Sequence, residues 1–182
     1  MNKKTIIIIT VLGLGIGSFV AFKTNTSPSY TPMSHESTND IEHRHSGNKH
    51  HNTEVSHYKE SLEHYFELQN SLANDNLNRA KQAAEKLAAA LGNHNNATPL
   101  AHQVHSAESI ETARRFFESL SSEIERLILH HGIPEGMHIG KYYCPMVDGN
   151  RGASWLQNSE GTLNPYFGAQ MLRCGSKLET LE

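Results

Sequence analysis

Apolar residues recur every three or four positions through the middle of the chain, which is the spacing of amphipathic helices. Four such segments are separated by short polar breaks. They begin near Glu54, after Asn74-Asp75-Asn76, at the predicted N-cap Thr98-Pro99 and at Ile110, and the last one ends at Gly132 and Pro134. Amphipathic segments joined by short loops predict a mainly α fold, with an antiparallel four-helix bundle over residues 54–133.

The pattern changes after Pro134, where Gly, Pro and Asn separate short apolar pieces. Lys141-Tyr142-Tyr143 and Ser154-Trp155-Leu156 are predicted to be short strands, and residues 169–173 one helical turn. This small, irregular C-terminal segment, residues 134–182, is expected to pack on the bundle and to carry the candidate ligand residues described below. Its aromatic residues supply the area that it can bury: Trp155, Tyr166 and Phe167.

Residues 1–22 have the composition of a targeting or anchoring segment. Lys3 and Lys4 precede an apolar, uncharged run over residues 5–22. This run is longer than the apolar region of about 7–15 residues in a secretory signal, and it is at the lower edge of the roughly 20 residues that span a membrane. We expect an inner-membrane anchor, with a cleaved signal peptide as the alternative. Both interpretations place the rest of the chain in the periplasm or another extracytoplasmic compartment.

Residues 23–53 are predicted to be a flexible, histidine-rich linker. Ser, Thr, Asn, Pro and His dominate this segment, so it cannot bury enough apolar surface to offset the entropy of ordering. Five of the 13 histidines of the chain lie here: His35, His43, His45, His50 and His51. Two interpretations stay open, namely weak and exchangeable capture of Cu(II), Zn or Ni, and a solvated tether.

Charge and motifs exclude two classes of function. The net charge is only −3 and no basic stripe is present, so no nucleic-acid partner is expected. The chain has no C-x-x-C motif, and no signature supports a nucleophilic Cys–His pair. We therefore expect a binding protein and not an enzyme.

Both cysteines lie in the last fifth of the chain, and each has a methionine nearby. Pro145 biases Cys144 towards an extended conformation, in which residues i and i+2, here Cys144 and Met146, face the same side. Met171 and Cys174 are three residues apart, so they share one face of a helical turn. If the two segments lie face to face, four sulfurs meet and form a set of donors that suits Cu(I).

The cysteine pair has a second interpretation. In an oxidising compartment Cys144 and Cys174 favour a disulfide, and Met146 and Met171 are then core residues. The protein would be a disulfide-stapled helical interaction domain with no tight metal site. Spacing alone leaves both interpretations open.

His102 is a further candidate ligand. It lies three residues before His105 on the predicted third helix, so the two side chains share a face. The alternative, which spacing alone favours, is a pair of half-exposed histidines without a ligand role.

Four C-terminal motifs, taken as an ordered set, resemble an uncharacterised exported domain family of Bacteroidetes-type bacteria that also occurs fused to periplasmic adaptor subunits of copper/silver efflux systems. The motifs are Tyr143-Cys144-Pro145-Met146, Gly152-Ala153-x-Trp155-Leu156-Gln157, Asn164-Pro165-Tyr166-Phe167-Gly168 and Met171-Leu172-x-Cys174-Gly175. Upstream, two further stretches are similar to the third and last helices of the family: Ala101-His102 and Ala113-Arg114-x-x-Phe117-x-x-Leu120-Ser121. The resemblance covers roughly residues 54–177.

The resemblance implies a helical domain that binds a heavy metal, with copper as Cu(I) expected and zinc or silver as alternatives. It identifies Cys144, Met146, Met171 and Cys174 as motif positions, together with His102. It also implies copper capture, transfer or tolerance, with a separate efflux adaptor or another copper carrier as partner. One departure is the polar stretch at residues 147–151, where family members carry apolar or aromatic residues, so access to the site can differ here.

Overall fold

The computed structural model describes residues 47–93 and 95–182, with side chains from Ser56 onward. The predicted anchor and residues 23–46 of the predicted linker lie outside this part. The described chain is mainly helical, with five α-helices and a small three-stranded antiparallel sheet. The elements are α1 Gly47–Ala73, α2 Leu77–Leu91, α3 Ala97–His105, α4 Ile110–His131, β1 Ile139–Cys144, the single turn α5 Val147–Asn150, β2 Ala153–Gln157, a 3-10 turn Gly168–Gln170 and β3 Ser176–Leu181.

Polar caps fix the ends of two long helices where the sequence predicted breaks. The Asn76 side chain accepts a hydrogen bond from the Arg79 N–H at the start of α2. The Ser109 side chain accepts one from the Thr112 N–H at the start of α4, which ends at His131 with Gly132 as its C-cap. Such side chains satisfy N–H groups that have no partner inside the helix. None of the helices in the described residues is both long enough and apolar enough to cross a membrane.

Two helix starts differ from the prediction. α1 begins at Gly47, seven residues before Glu54, because adding residues to an existing helix needs no new nucleus. Thr98 is not the N-cap of α3 but lies inside the helix, where its hydroxyl donates to the Gly92 carbonyl. The Asn95 side chain accepts from the first N–H groups of this helix instead.

The helices pack in chain order, α1 against α2, α2 against α3 and α3 against α4, which is compatible with the predicted bundle. Small side chains along α2 allow close packing of the backbones. The large side chains of this core are fully buried: Leu62, Tyr65, Leu68, Leu72, Leu87, Phe117, Leu120 and Ile124. Burial of each such side chain contributes about 1.5–3 kcal/mol, so this apolar core stabilises the helical unit.

The sheet has the order β2-β1-β3, and both neighbouring pairs are antiparallel. β1 and β2 confirm the two predicted strands, whereas β3 was not predicted. The Lys141 ammonium donates to Glu125 of α4 over 2.5 Å. The Leu156 N–H donates to the Tyr65 hydroxyl over 3.1 Å, and this hydroxyl also bonds to Ser121 over 2.7 Å. Polar contacts therefore join the sheet to the helices.

A loop of residues 158–175, here called the cover loop, packs on the side of the sheet that carries Tyr142 and Trp155. These two rings stack with centroids 5.5 Å apart, and Tyr166 of the cover loop meets Trp155 edge-on at 6.0 Å. The buried Gln157 amide donates to the Ser159 and Gly161 carbonyls and accepts from the Leu163 N–H. Trp155 and Tyr166 are buried as expected, so sheet and loop share one small aromatic core.

Candidate functional site

The two cysteines of the chain meet between β1 and the cover loop. Cys144, the last residue of β1, is fully buried, and Cys174 is partly buried. Their Sγ atoms lie 2.7 Å apart, and both residues are free cysteines. The structure therefore brings two sulfurs together from segments that are 30 positions apart in the chain.

Different kinds of structure position the two sulfurs. Cys144 lies in the ladder opposite Ala153 of β2. Cys174 lies in a reverse turn, where its N–H donates to the Met171 carbonyl and its carbonyl accepts from the Asn164 amide, both over 2.9 Å. A strand therefore fixes Cys144, whereas hydrogen bonds within the cover loop fix Cys174.

Gly175 allows the cover loop to approach β1 closely. Its φ is +111°, which a residue with a side chain rarely adopts. A Cβ at this position would lie 2.7 Å from the Tyr143 carbonyl oxygen and 2.9 Å from the Trp155 ring. The residue after Cys174 must therefore be glycine for the two cysteines to meet.

The methionines are not placed as the spacing predicted. The strand ends at Cys144, and Met146 has φ −90° and ψ −7°, so the rule for residues i and i+2 does not apply. Pro145 favours an extended conformation only at the residue before it and leaves Met146 free to turn, which explains the difference. Met146 is 48% exposed, beside a fully buried Cys144.

Met171 follows the 3-10 turn with φ −144° and ψ 46°, and it is partly buried. The predicted helical turn therefore ends at Gln170, and a reverse turn connects Met171 to Cys174. Neither thioether is held by the regular element that the sequence indicated, and both lie within three residues of a cysteine.

His102 is not brought to the cysteine pair. It is exposed on α3, which packs on α2 and α4. With both cysteines it would form a group of three, and the described residues contain no group of three or more His, Cys, Asp or Glu side chains that could hold a metal ion. The ring of His105 on the same helix lies 3.1 Å from the Lys81 carbonyl, so it tethers α3 to α2.

Proximity to Cys144 changes the acidity of Cys174. The hydrogen bond with Cys144, followed by burial and by charge repulsion, raises the pKa of Cys174 to about 11. Burial also raises the pKa of the neighbouring Tyr166 well above its usual value. The Cys174 thiol therefore stays protonated at neutral pH, and binding of a metal ion must displace its proton.

The distance between the two sulfurs lies between that of a disulfide and that of two thiolates on one metal ion. A disulfide has an S–S bond of about 2.05 Å. Two thiolates on one ion, each at about 2.3 Å, are about 3.7 Å apart in a tetrahedral site and about 4.6 Å apart in a linear one. The observed pair is closer to the disulfide, so a metal ion requires the sulfurs to separate by about 1–2 Å. Cys174 is the sulfur with room to move, because it is partly exposed and lies in a loop.

Two residues that hold the pair were not among the candidate site residues. Asn164 is fully buried and binds the Cys174 carbonyl, and Gly175 permits the approach to β1. Both lie inside the C-terminal motifs, which was the available signal. Their roles depend on backbone geometry that a one-dimensional pattern does not contain.

Comparison with known protein families identifies one domain in the chain. Residues 61–136 match the model of a family described as "Protein of unknown function (DUF3347)". This stretch runs from α1 to the residues before β1, so it ends before either cysteine. No curated protein and no solved structure matched the chain. The chain therefore contains a DUF3347 domain over residues 61–136.

Proposed function

We propose that the protein is an exported binding protein for a soft metal ion, with Cu(I) as its cargo, held by the thiolates of Cys144 and Cys174. The observation that carries the proposal is the meeting of their sulfurs, 2.7 Å apart, from two distant segments. Thiolates are the ligands that Cu(I) prefers, and zinc and silver are the alternative ions. The apolar run over residues 5–22 supports an anchored, periplasmic location.

The flanking methionines fit a protein that passes its ion onward. Met146 is 48% exposed beside a buried cysteine, so its thioether can bind an ion that is entering or leaving. Histidines of the predicted linker would bind metal ions weakly, and their number gives a high local concentration of ligands. The receiving partner would be an efflux adaptor or another copper carrier on a separate chain, and the function would be copper capture, transfer or tolerance.

Anaerobic Cu(I) titration of the reduced full-length chain in mild detergent, against a competing chelator, tests the proposal. We expect one tightly bound equivalent. Cys144→Ser or Cys174→Ser should weaken binding by more than about 100-fold, because even the outer partners of metal ligands are worth about 10–100-fold. Met137→Leu, at a methionine outside the motifs, is the matched control for Met146→Leu and Met171→Leu. Tight Cu(I) binding by both cysteine variants, with unchanged helix content, would refute the proposed site.

A second function is favoured by the same distance. Sulfurs at 2.7 Å need only a small movement to form a disulfide, which would staple the cover loop to β1. Closing the loop of residues 144–174 implies a stabilisation of about 3.7 kcal/mol in the chain-entropy description. The protein would then be a stapled interaction domain. Thiol counting on freshly isolated periplasmic material distinguishes the two: absence of both free thiols and bound metal supports the staple, and free thiols with bound metal exclude it.

A further inference from the structure

We propose that Asp75 and Arg114 form a clamp that positions Cys174 against Cys144. Asp75 lies in the turn between α1 and α2, Arg114 lies on α4, and together they bind the middle of the cover loop, at Pro165 and Ala169. The clamp deepens the proposed function, because it assigns how the metal-binding pair is held. It also applies if the pair forms a disulfide, since both states need the two sulfurs to meet.

Arg114 is the centre of the clamp. It lies on α4, its side chain is only 12% exposed, and it makes three hydrogen bonds. The Nε atom donates to the Pro165 carbonyl over 2.8 Å, and Nη2 donates to the Leu72 carbonyl over 2.8 Å and to Asp75 over 2.6 Å. The planar, multiply donating guanidinium can serve these acceptors at once, which a lysine cannot. One side chain therefore joins the end of α1 to the cover loop.

Asp75 supplies the second contact with the loop. One carboxylate oxygen accepts from Arg114, and the other accepts from the Ala169 N–H over 2.8 Å. The Ala169 N–H, followed by Arg114, lowers the pKa of Asp75, so the carboxylate stays charged at neutral pH. Charge-assisted hydrogen bonds of this kind are stronger than neutral ones. The clamp therefore holds the loop at both Pro165 and Ala169.

Gly168, between these two points, shows how closely the loop approaches. Its φ is +58°, and a Cβ at this position would collide with the Asp75 carboxylate and the Arg114 guanidinium. Only a residue without a side chain lets the backbone lie on the clamp.

Hydrogen bonds inside the cover loop connect the clamp to Cys174. The Met171 N–H donates to the Gly168 carbonyl, and the Cys174 N–H donates to the Met171 carbonyl. Asn164 closes the other side, because its N–H donates to the Leu172 carbonyl and its side chain donates to the Cys174 carbonyl. Hydrogen bonds thus connect the segment from Asn164 to Cys174 internally. The clamp at the start of this segment positions the sulfur at its end.

The consequence is measurable without any metal. Two thiols react with oxidised glutathione to give the Cys144–Cys174 disulfide and two molecules of reduced glutathione. The equilibrium constant depends on how well the folded chain holds the sulfurs together. By linkage, a clamp that favours their approach must raise this constant, and its loss must lower it by the same factor. General destabilisation of a chain that stays folded would not change it in this way.

The matched control is another ion pair between α4 and the C-terminal segment. Lys141 of β1 binds Glu125 of α4 over 2.5 Å, and both side chains are 21% exposed. This pair tethers β1 but does not touch the cover loop. Lys141→Gln therefore removes a comparable ion pair without removing the contacts that position Cys174.

The experiment equilibrates the full-length chain in glutathione buffers, traps thiols by alkylation and counts them by mass spectrometry. Each variant is measured at a temperature where circular dichroism shows it folded. We expect Arg114→Gln to lower the equilibrium constant by about tenfold, since hydrogen bonds to charged groups are worth about 1.5 kcal/mol or more. Asp75→Asn should lower it less, and Lys141→Gln should leave it within about twofold. Wild-type values in both clamp variants, or an equal effect of Lys141→Gln, would overturn the clamp.

Two further measurements keep the outcomes separable. If Arg114→Gln does not fold, Gly168→Ala tests the same contact, because the added Cβ pushes the loop off the clamp. Cu(I) affinity is measured on the same variants. A wild-type chain that binds no Cu(I) refutes the proposed function, while the glutathione equilibria of the variants, compared with that of the wild type, still decide whether the clamp positions Cys174.

Discussion

The helical unit, α1 to α4, and the C-terminal unit, residues 134–182, are stabilised in different ways. Most of the large, fully buried side chains are in the helices, where many apolar contacts together stabilise the structure. The C-terminal unit adds Ile139, Trp155 and Leu156 to the same apolar core, but it also depends on individual polar contacts, such as those of Gln157 and Asn164, and on glycines with positive φ. One substitution in the C-terminal unit can therefore move the cysteines without unfolding the helices.

The largest expected effect is in the helical core. Leu120→Ala on α4 removes a fully buried side chain and should lower the free energy of unfolding by about 2–5 kcal/mol. Because β2 packs on α1 and α4, the C-terminal unit should lose its structure with the helices. Circular dichroism follows the helices during urea unfolding, and fluorescence of Trp155, the only tryptophan, follows the C-terminal unit.

Leu129→Ala is the matched control, with the same substitution on the same helix at a side chain that is 71% exposed. It should change the stability by no more than about 0.5 kcal/mol. Similar losses in both variants would contradict the assigned core. Separate midpoints for the two probes would show that the two units unfold independently.

The helical unit could be predicted from the sequence more completely than the C-terminal unit, because the two units depend on different kinds of contact. The long helices were found because helical periodicity is repeated over several turns, so single exceptions such as Thr98 do not hide it. β3, Ser176–Leu181, has no fully buried residue, so it carries no alternating pattern to detect. The meeting of Cys144 and Cys174 depends on the path of the chain between them, which glycines and one buried asparagine determine. Spacing supplied the candidate residues but not their geometry.

An intermediate effect is expected where the two units are joined. Tyr65→Phe removes a buried hydroxyl that bonds to Ser121 and accepts from the Leu156 N–H, so that this N–H loses its partner. A lost partner for a buried donor is worth about 1–3 kcal/mol. The urea midpoint measured by Trp155 fluorescence should fall at least as far as the midpoint measured by circular dichroism, because the contact holds β2 to the helices.

Tyr143→Phe is the control for this junction. Its hydroxyl makes only a long contact of 3.4 Å with the Arg151 carbonyl, near the surface. We expect a change below about 0.5 kcal/mol. Equal shifts in the two tyrosine variants would show that the Tyr65 hydroxyl does not join the units.

The last expected effect, and the most specific for the site, concerns Cys174 in the reduced chain. Its pKa is raised from 9.0 to about 11, first by the hydrogen bond with Cys144, so folding favours the protonated thiol. This contribution to stability is complete below pH 9 and is lost as the pH rises towards 11. Only the thiolate reacts with iodoacetamide, and a thiolate of higher pKa is more nucleophilic, so at pH 8 native Cys174 should react about tenfold more slowly than in the unfolded chain. Cys144→Ala removes the hydrogen bond and should restore most of the rate, whereas Met137→Leu should not. An equally slow reaction in Cys144→Ala would mean that burial in the cover loop, and not the partner sulfur, protects Cys174, and the two sulfurs would then not be held together in the reduced protein.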